Sequence, residues 1–179
     1  ARGKARAEPG PDGRSSGPAD SAWVILAVGT VLGLGLAFRF FTRSDLWADE
    51  VLSVNIAGLD VRHLLEALKH DGAPPLYYLL LHFWMRAFGT GSPAVRALSG
   101  LIGVATIVPM WFAGRRLDRR RSAAGLQSPD ARTVAWAATL LLVASPFAIR
   151  YATEARMYAL LMFLVLWGYL ALRRALEVP

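Results

Sequence analysis

The chain has 179 residues, 55% of them hydrophobic, and carries a net charge of +7 with no cysteine. This composition and the positive mean hydropathy argue against a soluble single domain and for a polytopic membrane protein. The absence of cysteine excludes disulfides and thiolate metal sites, leaves His, Asp and Glu as the available ligands, and says nothing about redox compartment. Nucleic acid is not the expected partner, because the basic residues flank apolar runs instead of forming a stripe with interleaved aromatics on a soluble face.

Residues 1–20 are rich in Arg, Gly, Pro, Ser and Ala, a composition that suits a disordered basic tail. The chain starts at Ala1 rather than Met, so a trimmed or incomplete chain is expected. Four apolar segments then follow: Ala22 to Phe41, Pro93 to Ala113, Thr133 to Ile149 and Met157 to Leu172. Each is read as a membrane span, the last two at the lower edge of the roughly 17 to 25 residues needed. The first lacks a small-residue cleavage site after it and reads as a retained anchor, not a signal peptide. A fifth stretch, Pro74 to Phe88, ends at Gly89 and has a length that suits an interfacial or re-entrant helix.

Short cytoplasmic loops carry excess Lys and Arg. If Pro74 to Phe88 stays on the outer face, the cytoplasm receives Arg2, Lys4, Arg6 and Arg14, the loop with Arg115, Arg116, Arg119, Arg120, Arg121 and Arg132, and the end with Arg173 and Arg174. If that stretch crosses, the arginine-rich loop moves outside and Glu154 is separated from Asp49 and Glu50. The first arrangement is therefore expected, with a cytoplasmic N-terminus and a first extracytoplasmic loop over 42–92.

That loop concentrates the polar chemistry: six acids, four bases and all three histidines. Asp49 and Glu50 open a short helix, Ala48 to Ala57. In the next stretch Val61, Leu64, Leu65 and Leu68 recur at helical spacing, with Asp60 as a candidate cap and Lys69 and His70 near the carboxyl end, which favours cations. This predicts a helix on the membrane surface. Asp71 to Pro75 breaks it, and Pro75 opens a further helix, Leu76 to Phe88. The expected fold is all-α, with four transmembrane helices and two juxtamembrane helices in the first extracytoplasmic loop.

Asp49 and Glu50 follow Trp47, an interface-type aromatic, so their charges fall near headgroup depth, where a carboxylate serves as base or metal ligand. The plainer explanation is that both are first-turn acids favoured by the helix macrodipole. Arg150, Tyr151, Glu154, Arg156 and Tyr158 lie between the third and fourth spans, on the same face as the acidic pair in the expected topology. Their arginines suit phosphate oxygens, and Glu154 offers a further carboxylate; interfacial anchoring explains each singly. Arg96, in the first turn of the second span, has the same two explanations: contact with an anionic headgroup, or snorkelling. His70, Tyr77 and Tyr78 flank the double proline, and no histidine spacing there supports a metal site.

Trp47-Ala48-Asp49-Glu50, the segment His70 to His82 (HDGAPPLYYLLLH), the succession Phe88, Gly89, Ser92 and Arg96 to Ser99, then Gly114 to Leu117, and finally Glu154 to Tyr158 occur in an order and spacing that resembles the dolichyl-phosphate-mannose protein mannosyltransferase superfamily. Its bacterial members include lipid A aminoarabinose transferases, and all are polyprenyl-linked membrane glycosyltransferases of the C-type fold. The resemblance covers roughly residues 22 to 175. The histidine usually beside the double proline stands three residues upstream here, as His70, and such enzymes normally continue through many more spans. The resemblance thus implies an N-terminal transmembrane catalytic module, 21–179, in a bacterial plasma membrane.

The resemblance further implies transfer of a sugar from a polyprenyl-phosphate donor to a lipid, glycan or protein acceptor at the outer face. Asp49 would be the base, with Glu50 orienting it or helping to bind a divalent ion, Mg²⁺ or Mn²⁺, although some relatives need none. Arg156, with Arg150 or Arg96, would hold the lipid phosphate, and Glu154 would contact sugar or acceptor. His70, Tyr77, Tyr78 and Tyr158 would line the substrate site. Two rival readings use the same residues: a noncatalytic membrane scaffold, in which the acids are helix caps, and a transporter fragment. The latter usually carries its ionisable residues near the bilayer midplane, whereas here they lie at span ends.

Overall fold

In the computed structural model, residues 18–41, 44–123 and 130–177 are described. Most of the N-terminal tail, including Arg2, Lys4, Arg6 and Arg14, lies outside these residues, as do the side chains of Arg119, Arg120 and Arg121. The described residues form helices and no strand: α1 (Pro18–Phe38), α2 (Ala48–Gly58), α3 (Val61–Asp71), α4 (Pro75–Phe88), α5 (Ser92–Ala105), α6 (Ile107–Ala123), α7 (Ala131–Ala144), α8 (Pro146–Thr153) and α9 (Tyr158–Glu177).

Prolines explain most of the breaks between apolar helices. Pro109 has no N–H for the carbonyl of Ala105, and the ladder is interrupted at Thr106, whose hydroxyl turns back to Ile102 O at 2.8 Å. The axis continues nonetheless, so Ser92–Arg116 forms one apolar helix of 25 residues. At Pro146 the outcome differs. The residue before a proline is pushed out of the helical region, and Ser145 sits at ψ 120°, accepting a bond from Ala148 N. The segment expected to cross as Thr133 to Ile149 is therefore two helices, α7 and α8, bent by 54°.

By length and apolarity, Ser92–Arg116 and Tyr158–Glu177 are long enough to cross a membrane, and the bent α7–α8 pair makes a third if it acts as one span. Only 17% of the apolar window in α9 is buried within the protein. Leu161, Leu164, Val165 and Leu172 on α9, with Leu141 and Phe147 on α7 and α8, are exposed, a distribution that water does not favour and lipid does. The expected first span, Ala22 to Phe41, ends early. It falls in α1, Pro18–Phe38, a helix of 21 residues after which the chain turns at Arg39 and buries that residue instead of extending to Phe41; Trp23–Phe38 is the apolar stretch among its described side chains.

Arg39 is 2% exposed. Its guanidinium donates to Gly35 O at 2.5 Å and to Val143 O and Leu142 O at 3.2 Å each. Pro146 supplies no N–H to Leu142, so an arginine from a distant part of the chain caps the broken end of α7. Gly35 makes the approach possible, since a Cβ there would collide with Val143.

The first loop folds as the sequence suggests, with one difference of detail. Gly72, at φ 70°, closes α3 in the left-handed region, and Pro75 opens α4. Asp60 stands at the N-cap of α3, but its carboxylate engages His63 Nδ1 rather than capping a backbone N–H. Leu64, Leu68, Tyr77, Tyr78, Leu81 and Met85 from α3 and α4 join Ile56, Val95, Leu98 and Leu160 in one buried core. With 14 residues, or about 21 Å of rise, α4 falls short of a bilayer crossing and packs instead beside α5.

Candidate functional site

Glu50 and Arg96 form the centre of the polar cluster, 1% and 4% exposed. Glu50 Oε1 accepts from Arg96 Nε at 2.9 Å and from the backbone N–H of Ala155 at 2.8 Å; Oε2 accepts from Arg96 Nη2 at 2.6 Å and from Trp47 N at 3.0 Å. The remaining guanidinium contacts go to Ser44 O at 2.7 Å and Asp45 O at 3.0 Å. A planar fork meets a carboxylate in bidentate geometry, and nearly every donor and acceptor is used. Burial pushes the Glu50 carboxyl upward, but the Arg96 guanidinium and the N–H groups of Ala155 and Trp47 outweigh it and hold the group below its ordinary range. This one side chain ties together α2, the entry loop, α5 and the turn after α8.

Asp49 has the opposite surroundings. Its carboxylate is two-thirds exposed and meets Arg156 Nη1 at 2.6 Å. The Arg156 guanidinium also lies 5.0 Å from the Tyr158 ring centroid, within cation–π range. Glu154 is mostly buried and accepts from Arg150 Nε at 2.9 Å, the arginine itself reaching into solvent. The turn Glu154–Met157 is tight, with Arg156 N donating to Glu154 O at 2.8 Å. It is pressed onto the bundle because α8 lies against α5 at Gly103, where a Cβ would come within 2.7 Å of Ala152 Cβ.

Two cavities flank that turn. One, of about 270 Å³, is lined by Ser44, Trp47, Arg96, Arg150, Thr153 and Glu154. The other, of about 280 Å³, is apolar and runs along Pro74, Leu76, Tyr77, Met157, Tyr158 and Leu160. Glu154 faces the polar cavity and Tyr158 the apolar one; Arg156, which pairs with Asp49, stands between them in sequence.

The structure thus joins most of the residues singled out from the sequence, in unequal roles. Asp49, Glu50, Arg96, Glu154, Arg150, Arg156 and Tyr158 belong to one cluster. Tyr77 is buried with its hydroxyl 2.9 Å from Ser99 Oγ; burial raises its pKa beyond the ordinary phenol value, so it stays protonated. Tyr78 is buried edge-on to Tyr77, packed into the core. His70 is exposed near the end of α3 and does not line either cavity. Ser44 and Thr153 line the polar cavity although nothing in the sequence marked them; only the folding of the entry loop onto α8 brings them there.

Glu50 has its oxygens occupied by four donors, which leaves the Asp49–Glu50 pair unsuited to a divalent ion requiring several oxygen ligands. Among the described residues, no three His, Asp or Glu side chains gather closely enough to hold a metal.

The fold and the cluster define an all-helical protein with apolar helices long enough to cross a membrane and a carboxylate–guanidinium site at one end of them. No family model, no curated protein and no solved structure matches this chain.

Proposed function

We infer that the chain is the catalytic module of a membrane glycosyltransferase that moves a sugar from a polyprenyl-phosphate donor to an acceptor hydroxyl at the extracytoplasmic face. The observation that carries this reading is the turn Glu154–Met157. Its first residue, Glu154, lines a polar cavity and its last, Met157, an apolar one, while Arg156 of the same turn pairs with Asp49. An amphiphilic donor needs that juxtaposition: an apolar groove for the isoprenoid chain, cations for the phosphate and a polar space for the sugar.

Phosphate is already a competent leaving group, so the protein must supply a base and a place for the departing charge. Asp49, exposed and next to the cations, takes the proton of the acceptor hydroxyl. The acceptor oxygen forms its bond to the anomeric carbon as the bond to phosphate breaks, with inversion, and polyprenyl phosphate leaves. Arg156 and Arg150 hold the phosphate, Arg156 exchanging its contact with Asp49 for one with the donor. Glu154 faces the sugar or acceptor, and Tyr158 packs against the chain of the donor. Arg96 and Glu50 are positioning residues in this scheme, because each has spent its hydrogen bonds on the other and on the backbone. No step passes through a metal.

The rival reading is a scaffold in which these ion pairs merely fasten two connections. It has support of its own, since the Glu50–Arg96 pair is complete without a ligand. Labelled sugar transfer from a polyprenyl-phosphate donor, wild type against Asp49→Asn in the full-length protein, separates the two. Loss of transfer in a folded variant is expected; equal rates would remove the catalytic assignment.

A further inference from the structure

The opposite end of the helices carries a second amphiphilic groove that the reading above does not use. From Ser92, close to the carboxylate cluster, to Arg116 the helix rises about 37 Å, enough to cross the hydrocarbon core. There, α6 and α9 flank a cavity of about 340 Å³ lined by Phe112, Arg116, Trp167, Leu170, Ala171 and Arg174. The spacing is helical on both sides. Phe112 and Arg116 lie one turn apart on α6, while Trp167, Leu170, Ala171 and Arg174 share one face of α9. The apolar members lie toward the middle of the spans and the arginines toward their ends.

We propose that this groove seats an anionic phospholipid in the leaflet opposite the carboxylate site, its phosphate between Arg116 and Arg174 and its acyl chains along Phe112, Trp167 and Leu170. Charge complementarity supports this occupant. Arg116 uses Nη1 on Leu170 O at 3.1 Å, which fixes the guanidinium over the groove and leaves its other donors available. Among the described residues, no carboxylate pairs with Arg116 or Arg174; Glu177, the acid nearest to Arg174 in sequence, is held by Arg173 at 3.1 Å, and neither Glu177 nor Asp130 lines the groove, while the side chain of Asp118 lies outside the described residues. Phe112 and Trp167 remain 46% and 42% exposed, so the walls are apolar surface that lipid covers and water does not favour. Basic grooves between spans at a membrane face select anionic headgroups by this combination.

The proposal does not depend on sugar transfer and is tested without it. The full chain is reconstituted in nanodiscs of mixed phosphatidylcholine and phosphatidylglycerol, and the lipid retained after mild detergent release is identified by native mass spectrometry. Retention of phosphatidylglycerol over phosphatidylcholine on the order of tenfold is expected for two guanidinium contacts. Arg174→Gln, at an exposed position without a described partner, should cut that preference severalfold. Ala171→Trp, which fills the groove and keeps both arginines, should reduce retention as well. Equal retention of the two lipids by the wild type would overturn the proposal. So would undiminished retention by Ala171→Trp, which would reveal surface attraction without a seat, or displacement of the lipid by millimolar glycerol phosphate, which would reveal a site for free phosphate alone.

Discussion

Asp49 and Glu50 are adjacent in sequence and differ in almost every physical respect. Glu50 points into the protein, where a bidentate arginine and two backbone N–H groups surround it; Asp49 points out, with one guanidinium as partner. Successive residues on a helix project about 100° apart, so one turn of α2 serves two environments. The lesson is a division of labour. The buried acid fastens α2 to α5 and to the α8–α9 turn, and the exposed acid is thereby held at the surface beside Arg156.

The sharpest test of that division is a pair of substitutions with opposite signatures. Asp49→Asn should lower sugar transfer by about 10²- to 10⁴-fold, the usual range for losing a general base. Its effect on stability should stay within about 1 kcal/mol, because an exposed ion pair contributes little; transfer assays and thermal unfolding in detergent measure the two effects. Glu50→Gln should act mainly on the fold, costing about 3–5 kcal/mol by leaving Arg96 buried without its counter-charge. If the Glu50 variant were as stable as the wild type, the fastening role would be lost and the contrast between the neighbours with it.

Acid titration sharpens the same contrast. The folded-state pKa of Glu50 is depressed, so its contribution to stability is fully present above the ordinary Glu value of about 4.3 and is lost as pH falls through that value toward the folded pKa. Unfolding followed by tryptophan fluorescence should therefore show a loss of stability below about pH 4 that Glu50→Gln lacks. A comparable loss in Arg39→Leu relates to a different device, the capped break of α7. That substitution should cost about 3 kcal/mol at all pH values, by stripping donors from the Leu142 and Val143 carbonyls.

The smallest expected effect lies in the exposed Asp60–His63 pair. Hydrogen bonding to Asp60 raises the His63 pKa, so its small contribution to stability is present below the ordinary value of about 6.5 and fades as pH rises through the folded value. An NMR titration should place the His63 pKa above its ordinary value and lower it in Asp60→Asn, with no measurable change in unfolding temperature. The pair thus has the character of Asp49–Arg156 in exposure but joins residues within one helix, where nothing distant depends on it.

Much of the helical framework was legible because its signals are local. Pro75 opening α4, Gly72 closing α3 and the apolar runs that became Ser92–Arg116 and Tyr158–Glu177 all follow from residues within a turn or two of the event. Span ends were harder to read. The first apolar run reads through Arg39 to Phe41, whereas in three dimensions Arg39 is a buried cap that reaches Leu142 and Val143, more than a hundred residues away. The third run, Thr133 to Ile149, reads as one span, whereas Pro146 divides it into two helices bent by 54°, with α8 packed onto α5 at Gly103.

Within the site, residue type and order determined which side chains carry charge at the ends of apolar helices, and the resemblance of the motifs pointed to the same positions. Tertiary structure alone decided which carboxylate is buried and fastened and which is exposed beside a single guanidinium. That outcome rests on an arginine in α5 and a backbone N–H at residue 155, contacts between segments 46 and 105 residues apart. Composition and periodicity act over a few residues along the chain; burial and pairing of a charge depend on which distant segments arrive beside it, because a buried carboxylate is tolerated only where its counter-charge and donors converge.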